Sequence, residues 1–249
     1  MVTGGAGGIG TAVCHSLSAG KALVAAVDHD TRALDALTGD PAGKAGGVVA
    51  AYVADVADGD GVEAVLDHVE RDLGPVDALV NVAGVLRRGP AAHCSLQDWS
   101  ALFAVNATSV FLWSAAAARR MAGRPGASIV TVASNAVGVP RAGMAAYAAS
   151  KAAAVAFTLG LGLETAGHGI RCNAVCPGST DTPMLAAMGP GAAGAAVRGD
   201  PAVFRAGIPL GRVASPQDVA DAVVFLLSEK AKHITMHSLY VDGGAALHG

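Results

Sequence analysis

The sequence predicts a single-domain α/β fold, with one doubly wound parallel sheet of about seven strands and helices on both faces. Three observations carry this. Short apolar runs alternate with longer amphipathic segments along all 249 residues, as repeated strand–helix–strand units require. Most of the runs are continuous rather than alternating, which suits strands covered on both faces. No linker divides the chain, and one core can fill a chain of this length.

The elements follow in order. Only Met1 and Val2 precede Thr3, where a strand ordinarily takes about five or six residues. Either the true start lies upstream or the fold tolerates a stub. Further strands are expected at 23–28, 48–56, 78–83, 128–134, 170–176 and 239–242. Between them, Val62, Val65, Leu66, Val69 and Leu73 keep the one-face spacing of a helix over 61–73. The stretch 95–121 opens with Ser95 and has Asp98 three residues on, a capping-box pattern. Ser215-Pro216-Gln217-Asp218 is a stronger helix start, with a cap, a proline at the first turn and an acid at the third position. The helix expected at 145–166 is apolar on nearly all sides, which calls for a second subunit over the side away from the sheet, hence a homo-oligomer. The segment 184–207 is rich in Gly, Ala and Pro and follows a strand's C-terminal end, so it is expected to be a substrate lid.

Composition excludes several classes. Hydrophobic residues make up 52% of the chain, too many for a disordered protein. Lys and Arg number 17 against 20 Asp and Glu, which gives no electrostatic footprint for nucleic acid. Mean hydropathy is positive, at +0.46, yet the sequence reads as lacking an uncharged, strongly apolar run long enough to cross a membrane, and as lacking a signal peptide. Cys14, Cys94, Cys172 and Cys176 show no metal-ligand spacing and read as buried free thiols in a reducing cytoplasm. His233 and His237 lack a third ligand, so no metal site is expected.

Two constellations carry chemistry. Gly4-x3-Gly8-x-Gly10 stands at a strand–helix junction, where glycines permit a tight turn and close approach of a pyrophosphate to the helix N-terminus. Asp28 ends the next apolar run, 18 residues after Gly10. Its carboxylate suits the two ribose hydroxyls of NAD and would repel the 2′-phosphate of NADP. Tyr147 and Lys151 share one helical face at i, i+4. A nearby ammonium and a positive nicotinamide ring both favour phenolate, so a tuned tyrosine takes a hydroxyl proton while hydride leaves the adjacent carbon. Ser134, 13 residues earlier, ends a strand and is placed to hydrogen-bond the reacting oxygen.

On these motifs the chain resembles the short-chain dehydrogenases/reductases, a family with a Rossmann-type fold, over its whole length. Thr3, Gly4, Gly8, Ile9 and Gly10 match the family's cofactor loop. Asp55 and Val56 resemble its adenine contact, and Asn81, Ala83 and Gly84 its Asn-Asn-Ala-Gly motif, from which Val82 departs. Pro177, Gly178, Thr180 and Thr182 resemble the segment at the nicotinamide end. Asn106 joins Ser134, Tyr147 and Lys151 in the implied catalytic set, holding a water in a proton relay. The stretches 77–89, 129–151, 170–183 and 207–244 resemble a narrower group that oxidises a cyclic dihydrodiol carboxylic acid to 2,3-dihydroxybenzoate for siderophores. The resemblance implies NAD, a carboxylated cyclic diol as substrate and a homotetramer. A carboxylate needs a cation, and Arg87 and Arg141 are the expected partners, with Met144 shaping the pocket wall beside Ser134 and Tyr147. Arg88 departs from the narrower pattern, which has Met there. The amino analogue 2,3-dihydro-3-hydroxyanthranilate, a 3-oxoacyl or ketone reductase, and a catalytically silent NAD-binding module remain open alternatives.

Overall fold

The computed structural model describes residues 1–39 and 47–247. Its strands are β1 (Val2–Thr3), β2 (Leu23–Asp28), β3 (Val48–Val53), β4 (Ala78–Asn81), β5 (Ser128–Val132), β6 (Arg171–Pro177) and β7 (Ser238–Val241). They form one parallel sheet in the order β3-β2-β1-β4-β5-β6-β7. The apolar runs at 48–56, 78–83 and 128–134 pair only as far as Val53, Asn81 and Val132. Their last residues leave the ladder and become the turns above the sheet. β1 is a stub, but it pairs on both sides, Val2 with Ala26 of β2 and with Val80 of β4.

The helices are α1 (Gly8–Ala19), α2 (Thr31–Gly39), α3 (Gly61–Leu73), α4 (Leu96–Phe103), α5 (Ser109–Met121), α6 (Ala145–Thr165), α7 (Pro183–Ala186), α8 (Ala192–Arg198) and α9 (Pro216–Leu227). Strand parity divides the core in two. Ala25, Val27, Leu79 and Ile129 pack with α3, α5 and α6, while Val24, Ala26, Val80 and Val130 pack with α1 and α9. α3 buries Val62, Leu66 and Val69, the stripe its periodicity predicts. The α9 capping box is complete, since the Ser215 side chain accepts from the Asp218 N–H and the Asp218 carboxylate accepts from the Ser215 N–H.

Three expectations are corrected. The stretch 95–121 is not one regular helix: a π-turn at Ala104–Thr108 separates α4 from α5. Nor is it short of apolar length. Leu96–Met121 and Ala145–His168 are both long and apolar enough to cross a membrane. From Trp99 to Ala118 there is no Asp, Glu, Lys or Arg. That apolarity has a use inside the fold, because α5 and α6 cover the centre of the sheet, with Trp113, Ala117 and Met121 almost wholly buried. Cys94 is half-buried on the turn before α4, unlike the buried Cys14, Cys172 and Cys176. The side of α6 away from the sheet, with Ala145, Ala152, Ala156, Gly160 and Leu163, is exposed in the single chain, the side for which the sequence calls for a second subunit.

Candidate active site

The strand order reverses between β1 and β4, so the loops after these strands diverge and leave a crevice at the sheet's C-terminal edge. A cleft of about 670 Å³ lies there, lined among others by Ile9, Ser134, Tyr147, Lys151, Gly178 and Thr182.

The glycine loop is built by exclusion. Gly4 has φ +66°, and a Cβ there would lie 2.5 Å from the Ala83 nitrogen. A Cβ on Gly10 would lie 2.0 Å from the Gly4 carbonyl oxygen. Only glycine lets the turn fold back under α1, whose N-terminus carries no side-chain cap. Thr3 is buried beneath, and its carbonyl accepts from the Val82 and Ala83 N–H groups. Asp28 sits beside the loop, 8% exposed. Its carboxylate accepts from the backbone N–H groups of Ala6 (3.1 Å), His29 (2.8 Å) and Asp30 (3.2 Å). An uncapped helix start, a backbone cradle and a fixed carboxylate fit a dinucleotide. Asp55 is exposed above β3, where its side chain caps the Ala57 N–H at 2.9 Å. Val56 is buried, and its carbonyl takes the Trp113 Nε1–H at 3.0 Å.

Tyr147 and Lys151 stand on the same face of α6, 7% and 4% exposed. Burial pushes the Tyr147 phenol above the ordinary tyrosine range, while a hydrogen bond with Ser134 and the charge of Arg141 pull it back. Burial pushes the Lys151 ammonium down to about 8, and Nζ donates to the Val132 carbonyl at 3.0 Å. The Ser134 Oγ also accepts from the Ala136 N–H at 3.1 Å. Asn106 lies in the π-turn and is wholly buried. Its Oδ1 accepts from the Val85 N–H at 2.8 Å, and its Nδ2 donates to the Val85 carbonyl and to Ser150 Oγ, both at 3.0 Å. A Cβ on Gly84 would lie 3.1 Å from Lys151 Nζ and 3.3 Å from Asn106 Oδ1. The glycine thus lets the β4 turn approach both groups, and the Asn106 amide, carried on the π-turn, ties that turn at Val85 to Ser150 of α6.

Other expected residues fall as follows. Pro177, Gly178, Thr180 and Thr182 line the cleft after β6, and Met144 and Arg141 line it before α6. Asn81 points elsewhere. Its amide ties β4 to Ser114 of α5 at 2.9 Å and to Thr131 of β5 at 3.3 Å, which makes it a fastener of the strand. Arg87 is exposed, 3.7 Å from the Asp98 carboxylate, and lines a smaller cavity that shares Gly84, Leu86, Arg88, Met184 and Met188 with the main cleft. Its neighbour Arg88 lines both cavities. The segment 184–207 borders the cleft as expected, but it is more regular than its composition suggests. It comprises α7, α8 and a 3-10 turn at Pro201–Val203, with Gly189 and Gly191 at positive φ between the helices. Arg198 and Arg205, which the sequence reading did not single out, also line the cleft.

A family model described as Enoyl-(Acyl carrier protein) reductase, of the short-chain dehydrogenase type, matches residues 4–246. The chain belongs to the short-chain dehydrogenase/reductase family. As a member of that family it is an oxidoreductase, and it uses a nicotinamide cofactor. Among curated relatives, the chain is 48% identical over 249 residues to the 2,3-dihydro-2,3-dihydroxybenzoate dehydrogenase of Bacillus subtilis (strain 168), covering 99% of this chain and 95% of the relative. It is 44% identical over 200 residues to the Escherichia coli (strain K12) enzyme of the same name, covering 80% and 81%. Among solved structures it resembles a Serratia marcescens short-chain dehydrogenase/reductase with TM-score 0.87 and 34% identity, covering 98% and 96%. It also resembles a Burkholderia cenocepacia short chain dehydrogenase in complex with NADP, with TM-score 0.87, 36% identity and the same coverage.

Proposed function

We propose that this dehydrogenase uses NAD to oxidise a ring carbinol of 2,3-dihydro-2,3-dihydroxybenzoate, giving 2,3-dihydroxybenzoate. The carrying observation is Arg141, a half-buried guanidinium in the same cleft as Tyr147, which among the described residues has no carboxylate in ion-pair range and feels Asp242 only through its charge. A desolvated, unpaired cation beside the base calls for an anionic substrate, and the Bacillus subtilis and Escherichia coli relatives are named for a carboxylated diol.

In the reaction, the Tyr147 phenolate removes the proton from the carbinol hydroxyl, whose oxygen Ser134 holds by a hydrogen bond. The bound nicotinamide supplies a hydride acceptor, and its positive charge favours phenolate. Lys151 and Asn106 hold the proton path behind Tyr147, and the glycine loop and Asp28 hold the dinucleotide. The enone so formed tautomerises to a catechol, and the aromaticity gained draws the reaction forward.

Asp28 supports NAD over NADP. Its carboxylate cannot swing aside, since three backbone N–H groups hold it, and a 2′-phosphate there would meet like charge. Asp28→Ala is expected to lower the ratio of NAD to NADP affinity by roughly 100-fold, the scale of like-charge juxtaposition. Titration of both nucleotides into the two proteins checks it, and an unchanged ratio would count against the assignment.

For the assembly we take a homotetramer. Supporting it, α4 and α5 expose Leu96, Trp99 and Phe111 next to the exposed small face of α6, with Trp99 stacked on Phe103 and Phe111 edge-on to Phe157. Light scattering should return four copies. The thiols suit the reducing cytoplasm, since burial pushes Cys14 up to about 12 and both Cys172 and Cys176 up to about 11.

The decisive assay is NADH formation at 340 nm with the dihydroxybenzoate precursor, its 3-hydroxyanthranilate analogue and neutral cyclic diols. Preference for the first is expected. Preference for the amino analogue would move the product to 3-hydroxyanthranilate.

A further inference from the structure

Five cations line the cleft, Arg88, Arg141, Lys151, Arg198 and Arg205, against one acid, Asp200. That acid is exposed, its Oδ1 accepts from the Ala202 N–H at 3.0 Å, capping the short turn that follows, and its charge only partly offsets the burial of Arg205. Arg205 is held in place by its backbone. It exchanges hydrogen bonds with Asp200 at 2.8 and 2.9 Å, an antiparallel bridge that closes the lid segment on itself. Its guanidinium is half-buried and, among the described residues, donates to Ser179 Oγ alone, at 3.4 Å. Arg141 faces it from the loop between β5 and α6. Burial pushes the Arg141 guanidinium down and the charge of Arg205 pushes it further, with Asp242 and Tyr147 opposing; burial and then the charge of Arg88 push Arg205 down, with Asp200 opposing. Like charges held in one desolvated cleft are stabilised by an anion placed between them.

We propose that Arg205 is a second ligand for the substrate carboxylate, carried on the lid opposite Arg141, so that the substrate's own charge draws the lid over the reacting carbinol. This rests on the reading of the substrate as a carboxylated cyclic diol. Arg141 fixes one carboxylate oxygen from the rigid side, and Arg205 brings a two-pronged donor from the movable side. A neutral diol gains neither contact and leaves the lid without an anchor. Phe204, next to Arg205, is 97% exposed at φ +53°, which makes the lid tip a chymotrypsin site.

The test titrates 2,3-dihydroxybenzoate and neutral catechol into the enzyme–NAD complex for the wild type, Arg205→Gln and Arg205→Lys. Arg205→Gln is expected to weaken 2,3-dihydroxybenzoate by about 30- to 100-fold, the scale of a charged hydrogen bond. Catechol and NAD affinities should not change, and Arg205→Lys should recover part of the loss. In the wild type, 2,3-dihydroxybenzoate should slow cleavage after Phe204; in Arg205→Gln it should not. Equal effects on both ligands, or none on either, overturn the role of Arg205. A wild type that oxidises the dihydrodiol while Arg205→Gln keeps full affinity overturns Arg205 alone. A wild type that binds no aromatic carboxylate overturns the substrate reading as well.

Discussion

Tyr147→Phe is expected to reduce turnover by at least about 1,000-fold, within the span of general acid–base catalysis, while leaving the NAD dissociation constant within about twofold. The substitution removes one oxygen from a side chain only 7% exposed and adds no bulk, so the cleft keeps its shape. Ser134 loses its hydrogen bond to the phenol but keeps the Ala136 N–H, a cost of about 1 kcal/mol. A wild-type pH profile carries the same information. Oxidation needs phenolate, so kcat/KM rises with pH through the phenol's titration and is lost as pH falls below it. Because the Ser134 hydrogen bond lowers that pKa, Ser134→Ala should move the rising limb to higher pH as well as lower its height. Steady-state kinetics from pH 6 to 10 with nucleotide fluorescence titration decide this, and turnover retained by Tyr147→Phe would sink the mechanism.

The sequence was most readable where a local rule acts alone. The limits of α3 follow from five apolar residues at one spacing, and the α9 start follows from Ser215 and Asp218, whose reciprocal hydrogen bonds the structure contains. Tyr147 and Lys151 met because the helix period brings i and i+4 together. Legibility fell where partners come from distant chain segments. Nothing local marks the π-turn around Asn106, since apolar residues continue through it. Arg87 and Arg88 differ by one position in a loop, and only the fold decides which of them faces the cleft. Arg205 sits in a segment whose Gly- and Ala-rich composition hides two short helices, and its importance depends on Arg141, 64 positions earlier in the sequence. The apolar length of 99–118 is masked in the sequence by Asn106, Thr108 and Ser109, which are polar but carry no charge.

Lys151→Met is expected to abolish turnover and at the same time raise the melting temperature at pH 7. Burial holds the folded pKa of Lys151 at about 8, against about 10.5 for an ordinary lysine. Below pH 8 both folded and unfolded chains carry the charge, and the folded state bears its full desolvation, a penalty of about 3 kcal/mol. Between pH 8 and 10.5 the unfolded chain binds more protons than the folded one, so stability rises with pH across this window. Above it both lysines are neutral and the penalty is gone. Methionine fills the same space without charge but gives up the hydrogen bond to the Val132 carbonyl, worth about 1 kcal/mol. The net gain at pH 7 is about 2 kcal/mol, or roughly 4–8 °C for a chain of this size. The difference between the two proteins should shrink steadily from pH 8 to 10.5 and close or reverse beyond it. Thermal unfolding of both across that range tests the sign. A lower melting temperature for Lys151→Met at pH 7, or a gap that does not change with pH, would show that the site accommodates the ammonium without strain. The expected result would instead mean that the enzyme keeps a destabilising cation under the proposed base Tyr147 because the reaction, and not the fold, requires it.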